Sequence, residues 1–217
     1  MASSKAPGTH EPEGAVLGRP AVEIPAAARD RPFGWILLVT GVVSWLAAGA
    51  LVLERLELYK DPNHITSCDV NPWISCGQVM KTWQAALFGF PNPLIGVAAF
   101  AVIITTGAAL LAGASFKRWY WIGLQIGVTL GMVMIVWLWS QAIYAIGILC
   151  PYCIVVWAMM IPLFVWTTVR NIVHGVLPLP PAPARFLAEW AWVIVGALYV
   201  GVIASVFFRF ISVFVGA

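Results

Sequence analysis

Charge is what this sequence has least of. Of its 217 residues, 12 are Lys or Arg and 9 are Asp or Glu, so charged side chains make up 10% of the chain, against about 25% in a soluble domain. So thin a supply cannot cover a water-facing surface. A basic patch with interleaved aromatics is missing, and a net charge of +3 gives no footing for a nucleic-acid partner. Zinc-ribbon spacing of cysteines is missing too, so no metal site is expected. The first residues contain no apolar stretch of the kind that makes a secretory leader. What the chain has in excess is apolar surface, at 61% of residues where a soluble domain has about 45–50%. The composition reads as an all-α integral membrane protein with one compact membrane domain.

That domain does not begin at residue 1. Met1–Arg31 carries Pro7, Pro12, Pro20 and Pro25 among small residues and scattered charges. Such a stretch buries too little apolar surface to offset the entropy of ordering it. It is expected to be a disordered cytoplasmic tail, with residues 32–217 as the membrane domain.

Spanning the hydrocarbon core takes about 20 apolar residues in a helix. Phe33–Leu53 and Leu94–Phe116 supply two spans. Trp119–Val169 then runs for 51 residues without an Asp, Glu, Lys or Arg, far too long for one crossing. It divides into two spans, with a turn expected near Ala145–Pro151, where Gly147 and Pro151 punctuate the run. Pro162 falls inside the fourth span and is expected to kink it. Trp190–Phe208 makes a fifth. The positive-inside rule sets the orientation. With the N-terminus inside, eight Lys and Arg lie on the inner side (Lys5, Arg19, Arg29, Arg31, Lys117, Arg118, Arg170, Arg185) and four outside (Arg55, Lys60, Lys81, Arg209). Trp35, Trp119, Trp121, Trp190 and Trp192 then read as an inner interfacial belt.

In this arrangement the four cysteines share the outer side. Cys68 and Cys76 lie in the loop between the first two spans; Cys150 and Cys153 open the fourth. Cys150-Pro151-Tyr152-Cys153 is a Cys-x-x-Cys at a helix start, with Pro151 suited to the first helical position. The helix dipole favours a thiolate there. The loop pair differs in character. After Pro72, Cys76, Val79, Met80, Trp83 and Leu87 repeat at helical spacing, with Gln78, Lys81 and Gln84 off that face. This predicts a short interfacial helix that turns Cys76 toward the bundle and leaves Cys68 open to a partner in water. Four cysteines allow three pairings. A relay uses more than one: Cys68–Cys76 and Cys150–Cys153 as resting disulfides, Cys76–Cys150 as the transfer intermediate. The alternatives are two static disulfides, a four-cysteine metal site, or unrelated buried thiols. A static Cys-x-x-Cys bridge constrains little chain, and chance does not readily put four thiols on one face.

The pattern resembles the vitamin K epoxide reductase family, specifically its bacterial homologues. The resemblance runs from Cys68-Asp69-Val70 through Ile74-Ser75-Cys76 and Asn92-Pro93-Leu94-Ile95-Gly96 to Cys150-Pro151-Tyr152-Cys153. DsbB-type thiol oxidases carry their Cys-x-x-Cys earlier in the chain. The resemblance implies a four-helix transmembrane bundle around a quinone, menaquinone or ubiquinone, with a fifth helix beside it. It implies that Cys68 takes electrons from a protein partner, Cys76 hands them to Cys150, and Cys153 lies next to the quinone. Asn92 matches an asparagine that hydrogen-bonds a quinone carbonyl; it also suits a helix N-cap before Pro93. Thr82 falls where the family has a Ser or Thr near the redox centre, though it also reads as an ordinary hydroxyl on a short helix.

Two departures bear on the substrates. Trp157 stands where vertebrate members have a quinone-binding Tyr; its indole N–H also donates, with a different reach. This points to plain quinone reduction rather than vitamin K epoxide. Many bacterial homologues carry a fused thioredoxin-like domain after the fifth helix. This chain ends at Ala217, so a separate extracytoplasmic thioredoxin-fold, DsbA-like partner is expected. The competing reading is a non-catalytic membrane subunit or transporter with structural disulfides. Transporters place ionisable residues inside their spans; apart from Arg209 at the end of the fifth, these spans have none.

Overall fold

A computed structural model describes residues 23–211. Most of the stretch expected to be disordered lies outside them. Its last residues do not behave as a tail: Ala26–Ala28 form a 3-10 turn, Ala28 is fully buried, and the His174 imidazole lies 3.1 Å from its carbonyl oxygen.

Six α-helices follow, with no β-strand among the described residues: α1 Asp30–Lys60, α2 Cys76–Met80, α3 Pro93–Leu111, α4 Arg118–Ser140, α5 Pro151–Val173 and α6 Pro181–Arg209. Between α2 and α3 lies a 3-10 turn, Trp83–Ala86; α4 runs on into a π-helical segment, Gln141–Ile146. Five helices are long and apolar enough to cross a membrane, α4 being counted with its π segment. They are the five spans read from the sequence, with shifted ends. Helix α1 has 31 residues, roughly 46 Å at 1.5 Å per residue, so it outruns a core of about 30 Å. Its extra turns carry Glu54 and Arg55 to the cysteine end. Helix α6 starts at Pro181, which suits a first helical position.

Helices α3, α1, α5 and α4 stand side by side in that order, and α6 leans on α5. Close approach of α1 and α3 depends on absent side chains. A Cβ on Gly107 would sit 2.8 Å from the carbonyl oxygen of Gly34, and one on Gly41 would sit 2.9 Å from Ile104. In a lipid solvent such small-residue contacts are what hold helices together. Helix α6 docks through a seam of Ala184, Ala188, Ala191 and Val195, leaving Val193, Val200, Ile203 and Phe208 exposed. The ring does not close, because α3 and α4 scarcely touch.

Pro162 lies within an unbroken α5. Proline cannot donate to the carbonyl four residues back, so Ala158 loses its helical partner. The Tyr199 hydroxyl of α6 donates to that oxygen at 2.7 Å.

At the end away from the cysteines, the Arg170 guanidinium donates to Asp30 at 2.7 Å and lies 3.6 Å over the Trp121 ring. Trp121 therefore does not join the exposed belt expected of it. It is buried, while Trp35, Trp119, Trp190 and Trp192 are exposed. Asn171, Gln125 and Thr168 continue the polar cluster through hydrogen bonds of 2.9 and 3.0 Å.

Candidate functional site: four cysteines at the mouth of a cavity

The loop after α1 is folded by its own side chains. Asn71 Oδ1 accepts from the backbone N–H groups of Trp73 and Ile74 at 3.0 and 2.9 Å, which makes a tight turn around Pro72. Ser75 caps α2 by accepting from the Gln78 N–H at 3.0 Å. Asp69 clamps both arms. Its Oδ2 accepts from the Thr66 N–H at 2.9 Å, and its Oδ1 from the Gly77 N–H at 3.0 Å and from the Ser75 hydroxyl. Burial pushes the Asp69 carboxyl up, but these donors outweigh it and hold the group below its usual range. Gly77 is needed for the contact, since a Cβ there would lie 2.8 Å from Asp69 Oδ2.

The clamp brings Cys68 and Cys76 into a disulfide. A second set of bonds brings this loop to α5. Ser75 donates through its N–H to the Leu149 carbonyl at 3.0 Å, and the Leu149 N–H donates to Trp73 O at 2.8 Å. This short parallel pairing fixes the residue beside Leu149, which is Cys150. Its sulfur lies 3.2 Å from the Cys76 sulfur, within the range from which reaction begins. Cys150 and Cys153 are thiols, not the disulfide the relay reading expected. A hydrogen bond from the Cys153 side chain and backbone N–H groups of Cys153 and Tyr152 pull the Cys150 thiol below its ordinary value, against burial and the Asp69 charge.

Cys68 departs from expectation. It was read as open to water, yet it is 5% exposed, and Cys76 is fully buried. Leu51, Leu58, Met80 and Tyr152 cluster around the pair. The cover is fastened at Ser67, whose N–H donates to Glu54 at 3.0 Å and whose hydroxyl lies 3.3 Å from the Tyr152 hydroxyl. Periodicity could place Cys76 but could not see that the end of α1 folds over its neighbour.

Below the cysteines lies a cavity of about 520 Å³, bounded by Cys150, Cys153, Asn92 and Trp157 and reaching to Trp119 and Tyr120 at the far end. It fills the gap between α3 and α4. Asn92 is buried on its wall. It stands at the N-cap position of α3 but does not cap it. Instead its amide donates to Gln84 O at 2.7 Å and accepts from the Leu87 N–H at 3.1 Å, pinning the turn before α3. Thr82 does not reach the cavity wall; its hydroxyl donates to Val79 O at 2.7 Å and closes the end of α2. The predicted helix through Leu87 breaks at this point into α2 and the 3-10 turn. That break rephases Gln84, read as off the apolar face, so that it is buried and lines the cavity. Gln141 of the π segment lines it too. Neither was read as a site residue; for Gln141 a neutral amide inside a 51-residue uncharged run was a usable signal, and for Gln84 there was none.

Fold and site together define a class: membrane oxidoreductases that work by thiol–disulfide exchange. The chain belongs to the vitamin K epoxide reductase family, whose model matches residues 35–168. None of the curated proteins matches it. The matched stretch takes in all four cysteines and the cavity between α3 and α4. Members of this family use quinones, and the cavity suits one. Its walls are largely apolar, and its few amide groups gather at the cysteine end.

Proposed function

We propose that the protein oxidises an extracytoplasmic thioredoxin-fold, DsbA-like protein and passes the electrons to a membrane quinone, so supporting disulfide bond formation. The observation that carries this reading is the 3.2 Å separation between the Cys150 sulfur and the Cys68–Cys76 disulfide at the cavity mouth. A structural bridge has no use for a third sulfur at that distance.

In the proposed cycle, a partner thiolate attacks Cys68 and frees Cys76. Cys76 attacks Cys150 of the oxidised inner pair and releases Cys153 as a thiolate. The partner's second thiol resolves its bond to Cys68. Cys68 then resolves the Cys76–Cys150 bond, which restores the loop disulfide and leaves Cys150 and Cys153 as thiols, the redox state described above. Returning that pair to its disulfide gives up two electrons and two protons. A quinone held in the cavity would supply the sink for both. Cys153, Asn92 and Trp157 would hold and orient it, while Thr82 serves the turn instead. The cysteines face outward and the N-terminus lies inside in this reading, supported by the eight-to-four division of Lys and Arg.

Two variants test the order of the cysteines. Cys76→Ser should still capture the reduced partner as a mixed disulfide through Cys68 but lose quinone reduction; turnover at the wild-type rate would sink the relay. In Cys153→Ala, Cys150 should attack Cys76 and release Cys68, so that alkylating Cys68 traps a Cys76–Cys150 bond visible by mass spectrometry. A purely structural disulfide would leave Cys68 unlabelled.

A further inference from the structure

Asn92 offers a bound quinone one amide, and much of it is already committed. Its oxygen is taken by Leu87 and one amide proton by Gln84. A quinone has two carbonyl oxygens. Of the other polar side chains on the cavity wall, the Tyr120 hydroxyl is occupied by Thr106, while Arg55 gives one N–H to the carbonyl of Met80 and keeps a buried Nε without a partner. Arg55 and the Trp157 indole can only donate, whereas Gln84 and Gln141 bring both a donor and an acceptor to the wall. Gln84 is 8% exposed, and its amide nitrogen lies 3.4 Å from the Gln141 amide oxygen. This is their sole side-chain hydrogen bond among the described residues. Whichever way the two amides are turned, one bond between them leaves an oxygen of one and an N–H of the other facing an apolar cavity. Burying such groups without a partner is costly.

Their placement is not an accident of packing. Gln84 is turned inward by the switch from α2 to the 3-10 turn. Gln141 opens the π-helical segment, and π turns recur at functional sites. The Trp83 and Trp137 rings, 5.9 Å apart, brace the 3-10 turn against the last turn of α4, just before the π segment. Arg209 donates to Ile143 O at 3.1 Å and ties the π segment to α6.

We propose that Gln84 and Gln141 form a second anchor for the quinone, holding the carbonyl that Asn92 does not. This rests on the reading of the cavity as a quinone site. A carbonyl of the oxidised ring needs a donor, and the free N–H supplies it. The hydroxyl of the reduced ring needs an acceptor, and the free amide oxygen supplies that. A neutral amide pair therefore serves both redox states, which a Lys or an ionised carboxylate would not.

The test is calorimetric titration of the full chain in detergent with menadione and, separately, with 2-methylnaphthalene, a ring of similar shape without carbonyls. Gln141→Met and Gln84→Met keep the side-chain volume and remove the hydrogen bonds. Each should weaken menadione about five-fold, the size of one net hydrogen bond, and leave 2-methylnaphthalene unchanged. Equal losses for both ligands would make the pair a packing clasp and overturn the anchor; so would no loss for menadione. A wild type that binds 2-methylnaphthalene as well as menadione would refute carbonyl recognition at this end of the cavity. A wild type that binds neither would fail earlier, at the quinone reading itself. Thermal unfolding of each variant separates lost binding from lost fold.

Discussion

At the scale of single residues, Asp69 does more than its neighbours suggest. It joins Thr66, Ser75 and Gly77 and so sets the spacing of the loop disulfide. Because its folded carboxyl is held low, its contribution is whole above about pH 4, the ordinary carboxylate value, and drains away as pH falls through the lowered folded value. Its charge also raises the Cys150 thiol. Asp69→Asn should therefore shift the pH midpoint of Cys150 alkylation downward; an unmoved or raised midpoint would count against this role. In the sequence, Asp69 is no more than an acid beside Cys68. Three of its donors lie within nine residues, yet no periodicity announces a clamp. The cysteines stand out in the sequence because the positive-inside reading puts all four on one side. Cys68's burial was not legible there, because it depends on Glu54 and Tyr152, distant in the chain.

At the scale of elements, the spans were legible because lipid leaves a helix few alternatives. Their ends were not, since α1 and α6 run on past the apolar stretch. Pro162 illustrates the gap between reading and structure. The sequence announces a missing N–H; only the packing of α6 on α5 shows what takes up the freed carbonyl. Tyr199→Phe should cost about 1 kcal/mol of stability, the net value of one hydrogen bond. In a Pro162→Ala background the helix can satisfy Ala158 itself, so the same change should cost measurably less. Additive losses in that cycle, followed by thermal unfolding in detergent, would show that Tyr199 does not substitute for the helical bond. The π segment makes a similar point. It ends at Gly147, whose φ of 70° suits glycine, and this abrupt stop sends Ile148, Leu149 and Cys150 out toward the loop.

At the scale of the whole molecule, the bundle is a ring left open between α3 and α4, with its reactive sulfurs at one end. The proposed orientation predicts that a membrane-impermeant maleimide, applied after the loop disulfide is reduced, labels Cys68 from outside intact cells. Labelling only in inverted vesicles would reverse the topology. Reduction is needed first, because a disulfide does not react with maleimide.

The cover fastened at Ser67 has a consequence for the economy of the cell. A sulfur bridge wired to a membrane electron sink would be a standing leak if every small thiol in the surroundings could discharge through it. With Cys76 fully buried and Cys68 nearly so, the bridge is insulated. Under the proposed cycle, electrons enter when a partner large enough to displace the Ser67 fastening seats itself over the loop.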